Sequence, residues 1–246
     1  MDGDIVIKNV TYRYGNRKPA IKNISFTIPK GKKVGVVGEC GCGKSTLAKL
    51  LLKFYEFESG EITINGVNIN ECSSTAIRKS ISYVPQNIQL FSRTIYDNIR
   101  VTKMEATLDE VKKVSDLVSA HEFINKLPMK YNTYISESGD GLSEGEKQKI
   151  ALARAFLKDS NFYILDECTS GLDYANENII FDMIYNKYRD KTMMIIAHRL
   201  ATVKNCDIII VMSDGKIVEQ GTHDELIRKK GKYYRLWEMQ QVDFKC

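Results

Sequence analysis

The stretch that decides the fold is Gly38-Glu39-Cys40-Gly41-Cys42-Gly43-Lys44-Ser45-Thr46, which fits the pattern GxxxxGK[ST]. A β-branched run at 33–37 precedes it and predicts a short strand, and leucines at helical spacing in 44–55 predict a helix. A glycine-rich turn between a strand and a helix lets backbone amides curl around a phosphate at the positive end of the helix. Residues 38–46 are therefore the candidate phosphate-binding loop.

Individual side chains of this loop have separate predicted tasks. Lys44 neutralises phosphate charge, and the Ser45 hydroxyl is a candidate magnesium ligand. The remaining candidate nucleotide contacts in the loop are Gly38, Glu39, Cys40, Gly41, Cys42, Gly43 and Thr46. Cys40 and Cys42 cannot both turn toward one ion without unwinding a loop that wraps phosphate, so we interpret them as solvent-facing loop residues rather than a metal or redox pair.

A second motif, at 162–167, is an apolar strand that ends in two carboxylates. Asp166, at the carboxyl end of the strand, is suited to hold magnesium directly or through water, and Glu167 is placed to polarise an attacking water. The alternative interpretation is a cap on the following helix, which is reasonable for one acid alone. A pair of acids after a buried strand favours the catalytic interpretation.

Hydrophobic periodicity gives the surrounding architecture. Apolar and polar residues alternate in 5–12 and 21–28, which predicts two antiparallel strands, and Asn65-Gly66 predicts a hairpin turn between 61–64 and 67–69. Helix formers dominate 95–127. The later segments alternate between predicted helices and apolar strands: helix 144–157, strand 162–165, helix 176–188, strand 192–196 and strand 207–212. This order predicts an α/β fold with a parallel sheet covered on both faces.

Composition excludes several classes of protein. The 246 residues are 43% hydrophobic and 27% charged, which is typical of a globular chain, and no apolar run approaches the roughly 20 residues that cross a bilayer. Lys plus Arg number 36 and Asp plus Glu 31, so the net charge is +5 and is too small and dispersed to predict nucleic-acid binding. Six scattered cysteines without a CxxC pair predict free thiols in a reducing compartment.

Small GTPases are the main competing class of phosphate-loop protein. They read guanine with an Asn-Lys-x-Asp motif, and the nearest stretch here is Asn186-Lys187-Tyr188-Arg189, which lacks the aspartate. The magnesium strand also lacks a DxxG sequence. The sequence therefore shows no motif that would recognise guanine.

Several further motifs stand in a fixed order along the chain. Residues 142–155, LSEGEKQKIALARA, resemble the signature helix of ATP-binding cassette (ABC) proteins. Residues 83–86, 170–173 and 197–199 are similar to the Q-loop, the D-loop and the switch-histidine loop of that family, and Tyr14 matches the aromatic residue that stacks on adenine. The resemblance implies a phosphate-loop NTPase fold with a RecA-like parallel core, an N-terminal antiparallel β subdomain and a helical signature subdomain at about 87–157.

The same resemblance implies the ligands and the roles of the site residues. ATP and Mg²⁺ are the expected ligands, sandwiched between the phosphate loop of one subunit and the signature of a second copy in a head-to-tail homodimer. Ser143 and Gly145 would then reach the γ-phosphate across the interface. Gln86 would touch magnesium and the attacking water, His198 would hold the γ-phosphate, and Asp173 would communicate between the two sites.

Other stretches narrow the resemblance to exporters. Residues 90–99 and 123–133 look like exporter cassettes, and the sequence of 134–141 is most similar to peptide and bacteriocin exporters. The alternative interpretation of that loop is a polar surface linker. The segment from Gln86 to Phe91 and the loop around Glu137 are the expected contacts with transmembrane helices. Residues 242–246 follow the last helix, as in exporters that fuse the cassette after their membrane helices.

We therefore expect one ABC domain over residues 1–246, cut from the C-terminal part of a longer transporter. It would be soluble by itself and would lie at the cytoplasmic face of the membrane. Two alternatives stay open: an ABC ATPase that acts on ribosomes or chromosomes, and a module that holds ATP without turnover. Glu144 and Glu146 stand where the usual signature has glycine and glutamine, so we expect them to oppose dimer closure through charge repulsion.

Overall fold

The computed structural model describes residues 2–137 and 139–243. Its strands are β1 (Ile5–Tyr12), β2 (Ile21–Ile28), β3 (Lys33–Gly38), β4 (Ser59–Ile64), β5 (Val67–Asn68), β6 (Ile81–Val84), β7 (Arg93–Thr94), β8 (Tyr134–Ile135), β9 (Phe162–Asp166), β10 (Thr192–Ile196), β11 (Ile208–Ser213) and β12 (Lys216–Gly221). Its helices are α1 (Lys44–Leu51), α2 (Ser74–Ser80), α3 (Ile95–Arg100), α4 (Leu108–Leu117), α5 (His121–Lys126), α6 (Glu144–Leu157), α7 (Tyr174–Asn186), α8 (Leu200–Val203), α9 (His223–Lys229) and α10 (Lys232–Asp243).

The described chain divides into two compact units. The first contains residues 2–81, 161–166 and 190–243, and the second contains Ser82–Ser160 and Glu167–Arg189. The chain passes from one unit to the other four times. One of these crossings is the peptide bond between Asp166 and Glu167, so the two acids of the second motif belong to different units.

An antiparallel sheet in the order β2-β1-β4-β5 opens the first unit. The prediction of two antiparallel strands is confirmed, because β1 pairs antiparallel with β2. Buried residues of β1 alternate with half-buried ones except at Lys8 and Asn9, which are both exposed where the register with β2 shifts. The hairpin between β4 and β5 is also confirmed. Its turn residues Asn65 and Gly66 have φ angles of 52° and 77°, the left-handed values that a two-residue hairpin turn requires.

A second sheet of the first unit has the order β12-β11-β3-β10-β9. The pairs β11·β3, β3·β10 and β10·β9 are parallel, and β12 runs antiparallel to β11 at the edge. Strands β9 and β10 are buried at every residue, as the uniformly apolar runs predict. Because β3 and β9 are parallel, their carboxyl ends carry the phosphate loop and Asp166 at the same edge of the sheet.

The second unit is mainly helical, with α6 packed against α3 and α4. Helix α6 spans Glu144–Leu157, the predicted range, and the predicted helical segment 95–127 consists of the three helices α3, α4 and α5. Thr94 and Thr107 cap the first two of these helices with their side chains, which explains why the segment is broken rather than continuous. Strand β7 pairs with β8 in this unit.

The prediction that the helix after the phosphate loop reaches Tyr55 is wrong. Helix α1 ends at Leu51. Lys53 adopts a left-handed φ of 53°, and the amide N–H of Phe54 donates to the carbonyl of Lys49 at 2.9 Å, which closes the helix. The Lys53 ammonium donates to the carbonyls of Ile69, Asn70 and Cys72, so contacts from later in the chain hold this end.

Two sequence predictions concern membranes and termini. Among the described residues, no helix combines the length and apolar character needed to span a bilayer. The prediction that residues 242–246 follow the last helix is wrong at its start, because α10 continues to Asp243. The rest of that segment lies outside the described residues, as does Ser138 of the loop at 134–141.

Candidate nucleotide-binding and hydrolysis site

The phosphate loop connects β3 to α1 in the first unit. Gly43 has a φ of 108°, and a Cβ atom there would lie 2.7 Å from the carbonyl oxygen of Ala20, so only glycine fits this turn. The Lys44 side chain is buried, and its ammonium donates to the carbonyls of Gly38 at 2.8 Å and Glu39 at 3.1 Å. The lysine therefore lies within the curl of the loop, where a phosphate would replace the two carbonyls as its partner.

The two cysteines of the loop differ from the prediction in one respect. Cys40 is exposed, as expected, but Cys42 is 5% exposed and so does not face solvent. Burial raises the pKa of the Cys42 thiol. The reason is the curl of the loop, which turns Cys42 inward, with its Sγ 4.0 Å from the Lys44 Nζ.

The predicted magnesium ligands Ser45 and Asp166 meet in the first unit. The Ser45 hydroxyl donates to Asp166 Oδ1 at 3.2 Å, and the Asp166 side chain is 1% exposed at the end of β9. Hydroxyl and carboxylate oxygens are the hard ligands that Mg²⁺ prefers, and magnesium sites beside phosphates use few protein ligands. The donor set therefore fits magnesium.

Tyr14, the predicted adenine-stacking residue, belongs to a cluster of three tyrosines in the first unit. Its ring centroid lies 4.9 Å from that of Tyr12 and 5.3 Å from that of Tyr55, with both pairs near perpendicular. Its hydroxyl is hydrogen-bonded to Thr46 Oγ1 at 3.1 Å. Two edge contacts and one hydrogen bond fix the ring beside the phosphate loop.

Glu167 and Gln86 come together in the second unit. The Gln86 Nε2 donates to Glu167 Oε2 at 2.6 Å, and Glu167 is 7% exposed. Glu167 also has a left-handed φ of 52°, which is rare for a residue with a side chain. The backbone turn after β9 thus directs this carboxylate to the glutamine that the Q-loop motif predicted.

The signature residues begin α6. Ser143 is the N-cap, and its Oγ accepts from the backbone N–H of Glu146 at 3.3 Å. In return, the Glu146 carboxylate accepts from the backbone N–H and the hydroxyl of Ser143, both at 2.8 Å. Gly145 packs so closely that a Cβ atom would lie 2.9 Å from the carbonyl oxygen of Gly171 in the D-loop. The signature and the D-loop are therefore in direct contact.

Sequence reasoning missed Gln148, which joins the same two motifs. Its Nε2 donates to Ser170 Oγ at 3.0 Å, and its Oε1 accepts from the backbone N–H of Gly171 at 3.0 Å. The available signal was a polar residue on the buried face of α6, four residues before the core residue Leu152. Asp173 is the N-cap of α7. Its carboxylate accepts a hydrogen bond from the backbone N–H of Asn176, and this bond lowers the pKa of the carboxyl.

His198 follows β10 in the first unit, and its side chain is exposed. The predicted site residues thus fall into two sets. The first unit holds Tyr14, residues 38–46, Asp166 and His198, and the second holds Gln86, Ser143, Gly145, Glu167 and Asp173.

Comparison with known families decides the family of this chain. The model of the family described as "ABC transporter" matches residues 21–170, more than half of the chain. The chain belongs to the ABC transporter family. It is an ATPase domain of that family, and the domains of this family bind ATP with Mg²⁺.

Individual relatives agree with the family match. The chain is 40% identical over 245 residues to an ATP-dependent lipid A-core flippase of Photobacterium profundum, and the match covers 99% of the chain and 42% of the flippase. It is 42% identical over 238 residues to the mitochondrial ABC transporter B family member 24 of Arabidopsis thaliana, covering 97% of the chain and 35% of that protein. The chain therefore spans less than half the length of these relatives.

A solved structure gives the same fold. The structure of a bacterial Atm1-family ABC exporter with ATP bound superposes with a TM-score of 0.94 at 35% identity, over 97% of this chain and 42% of the exporter. The predicted fold class, an α/β nucleotide-binding domain with an antiparallel β subdomain, is thereby confirmed.

Proposed function

We propose that this chain hydrolyses ATP to drive export through transmembrane helices, as the nucleotide-binding domain of an ABC exporter. The observation that carries the hydrolytic part is the hydrogen bond from Gln86 to the buried carboxylate of Glu167. A module that only held ATP would have no use for a buried carboxylate fixed at a left-handed turn. The exporter part is supported by the relatives, which include a flippase and an Atm1-family exporter.

Each residue has one task in the proposed reaction. Lys44 binds the phosphates by charge, and Ser45 with Asp166 would hold a magnesium ion. Magnesium bound there would supply positive charge to the phosphates. Glu167 orients a water molecule and takes up one of its protons as the water oxygen attacks the γ-phosphorus. The bond from that phosphorus to the bridging oxygen breaks, and ADP leaves. His198 donates a hydrogen bond to the γ-phosphate and stabilises the charge that spreads over it.

The proposed active state is a head-to-tail dimer. Ser143 and Gly145 open α6, and the N-terminus of a helix offers free N–H groups and a positive dipole to an anion. In the dimer these groups of the partner subunit would bind the γ-phosphate. Asp173, the last residue of the D-loop whose Ser170 and Gly171 contact Gln148, would transmit the state of one nucleotide to the other.

We propose that the transmembrane helices dock on the second unit, at the segment from Gln86 to Phe91 and the loop around Glu137. Strands β7 and β8 pair the residues just after the first segment with those just before the loop, because Arg93 pairs with Ile135 and the Tyr134 hydroxyl donates to the carbonyl of Ser92 at 2.8 Å. Phe91 is 45% exposed and Tyr134 is 67% exposed. Two exposed aromatic rings on adjacent segments are suited to hold a short helix of a membrane domain.

The cargo stays a prediction. The sequence of residues 134–141 predicts that the cargo is a peptide or a bacteriocin. The relatives described above are instead a lipid A-core flippase, a mitochondrial transporter and an Atm1-family exporter. Cargo is selected by membrane helices, so the experiment that decides it is transport by the full-length protein reconstituted in vesicles, with labelled peptide and labelled lipid supplied in turn.

Hydrolysis is tested by phosphate release from ATP with magnesium. We expect Glu167→Gln to bind ATP but not to hydrolyse it, and Lys44→Ala to lose ATP affinity in calorimetry. Asp182→Asn, an exposed change in α7, is the matched control and should behave as the parental chain. Parental turnover by Glu167→Gln would contradict the role of Glu167, and an unchanged dissociation constant for Lys44→Ala would contradict that of Lys44.

The head-to-tail arrangement is tested by mixing two inactive chains. A dimer of Lys44→Ala with Ser143→Ala contains one site in which both the lysine and the serine are intact, because the two residues come from different subunits. Mixing these chains should restore part of the ATPase rate. If the mixture stays as inactive as its components, Lys44 and Ser143 of one site do not come from different subunits.

A further inference from the structure

Helix α10 of the first unit contacts the loop that carries His198. The side-chain amide of Gln240 makes two hydrogen bonds to this loop: its Nε2 donates to the backbone carbonyl of His198 at 2.6 Å, and its Oε1 accepts from the backbone N–H of Leu200 at 2.8 Å. One side chain therefore holds the backbone on both sides of Arg199.

The helix that follows this loop has no side-chain cap from its own N-cap residue. Helix α8, Leu200–Val203, is a single turn, and Arg199 at its N-cap makes no side-chain capping hydrogen bond. The first N–H groups of a helix have no partner within the helix. Gln240 supplies the acceptor for Leu200 from a segment 40 residues later in the chain.

The start of α10 is well anchored, so Gln240 has a defined position. The Glu219 carboxylate accepts from the backbone N–H groups of Lys232 at 2.5 Å and Tyr233 at 2.9 Å. The Tyr233 ring is fully buried, with its hydroxyl 2.9 Å from His223 Nδ1. Lys232 also contacts the Glu39 carboxylate of the phosphate loop at 2.9 Å. Helix α10 thus contacts both the phosphate loop and the His198 loop.

We propose that Gln240 is a positioning residue for His198 in ATP hydrolysis. This inference rests on the proposed function, in which the exposed His198 side chain reaches the γ-phosphate. The imidazole is attached to a backbone whose carbonyl is held by Gln240, so losing that bond would let the imidazole shift. A displacement of about 1 Å in a catalytic group can lower the rate by about 100-fold. Nucleotide affinity should change little, because Lys44 bonds to the carbonyls of its own loop and Tyr14 to Thr46, and not to Gln240.

The experiment compares Gln240→Leu and Gln240→Glu with the matched control Gln241→Leu, an exposed neighbour on the same helix. We expect Gln240→Leu to lower kcat by about 10- to 100-fold with an unchanged dissociation constant for ATP. Hydrogen exchange at the Leu200 amide should accelerate. Gln240→Glu keeps an acceptor for Leu200 but loses the donor to His198, so it should lower kcat while Leu200 stays protected. Gln241→Leu should leave all three measurements unchanged.

A double-mutant comparison separates positioning from general stability. In the His198→Ala background, Gln240→Leu should lower kcat no further, because the group that it positions is already absent. A parental kcat for Gln240→Leu would overturn the inference, as would a further loss in the His198→Ala background or a parallel loss of thermal stability and ATP affinity.

The same series distinguishes this inference from the proposed function. If His198→Ala lowers kcat and Gln240→Leu does not, only the positioning role of Gln240 is wrong. If the parental chain does not hydrolyse ATP, or if His198→Ala retains the parental rate, the proposed function or the role of His198 fails, and the inference about Gln240 fails with it.

Discussion

The left-handed backbone at Glu167 predicts a specific stability pattern. A φ of 52° places a Cβ atom too close to the following carbonyl oxygen, and this conformation costs about 1–2 kcal/mol for a residue with a side chain. Glycine adopts it without that cost. Holding Glu167 in this conformation therefore has a backbone cost that glycine at the same position would not have.

Comparing Glu167→Gly with Glu167→Ala isolates the backbone contribution. Both variants lose the carboxylate and its hydrogen bond to Gln86, so they differ only in the presence of a Cβ atom. We expect the glycine variant to have the higher free energy of unfolding, by about 1 kcal/mol. In a chain of this size that corresponds to about 2–4 °C in the midpoint of thermal unfolding.

Asp182 is the matched position, because it is exposed in the interior of α7. There the order should reverse, with Asp182→Ala more stable than Asp182→Gly by about 1 kcal/mol. Calorimetric or fluorescence-monitored unfolding of the four variants gives both differences. If alanine is as stable as glycine at position 167, the left-handed turn carries no strain, and the backbone cost assigned to Glu167 is wrong.

The remaining predictions concern the base, the signature and acid stability. Tyr14→Ala should weaken ATP and GTP by about 1–3 kcal/mol each in calorimetry, the range known for bases stacked on aromatic rings, whereas Tyr14→Phe should lose less because only the bond to Thr46 disappears. Glu144→Gly with Glu146→Gln should strengthen the ATP-dependent dimer seen by sedimentation in a hydrolysis-deficient background, and equal dimerisation constants would contradict the charge repulsion. A hydrogen bond from a lysine lowers the pKa of Glu110 from 4.5 to about 2, so the stabilisation that Glu110 provides is present above pH 4.5 and is lost as the pH falls toward 2. Over this pH range the thermal midpoint of Glu110→Gln should therefore fall less than that of the parental chain.

Local signals in the sequence predicted the elements whose ends are set locally. Helix α6 starts at Glu144 and ends at Leu157 as predicted, because Ser143 caps it with its own side chain. The end of α1 was missed because Lys53, which closes it, is not a glycine and is held by carbonyls about 16 to 19 residues later. The burial of Cys42 was missed for a related reason, since the direction of a loop side chain depends on how the whole loop curls.

Contacts between a side chain and distant backbone groups are the part of the site that sequence reasoning could not supply. Gln148 and Gln240 are both ordinary polar residues in helices. Their most distant hydrogen-bond partners are the backbone groups of Gly171, 23 residues away in the chain, and of His198, 42 residues away. A motif identifies the residue that contacts the nucleotide, but it does not identify the second residue that keeps the first one in position. The structure adds those residues for the D-loop and the His198 loop.

The capping geometry at the signature changes the argument about its two acids. Glu144 is exposed in the first turn of α6, so its charge acts on the nucleotide of a partner subunit mainly at long range and through solvent.

Glu146 is different, because its carboxylate already accepts a hydrogen bond from the Ser143 hydroxyl at 2.8 Å. That hydroxyl would have to leave Glu146 before it could donate to the γ-phosphate of the partner's ATP. A glutamine at 146 keeps a carbonyl oxygen for the Ser143 N–H but accepts more weakly from the hydroxyl. Glu146→Gln alone should therefore strengthen the dimer more than Glu144→Gly alone, and the opposite order would mean that long-range charge, not the hold on Ser143, limits closure.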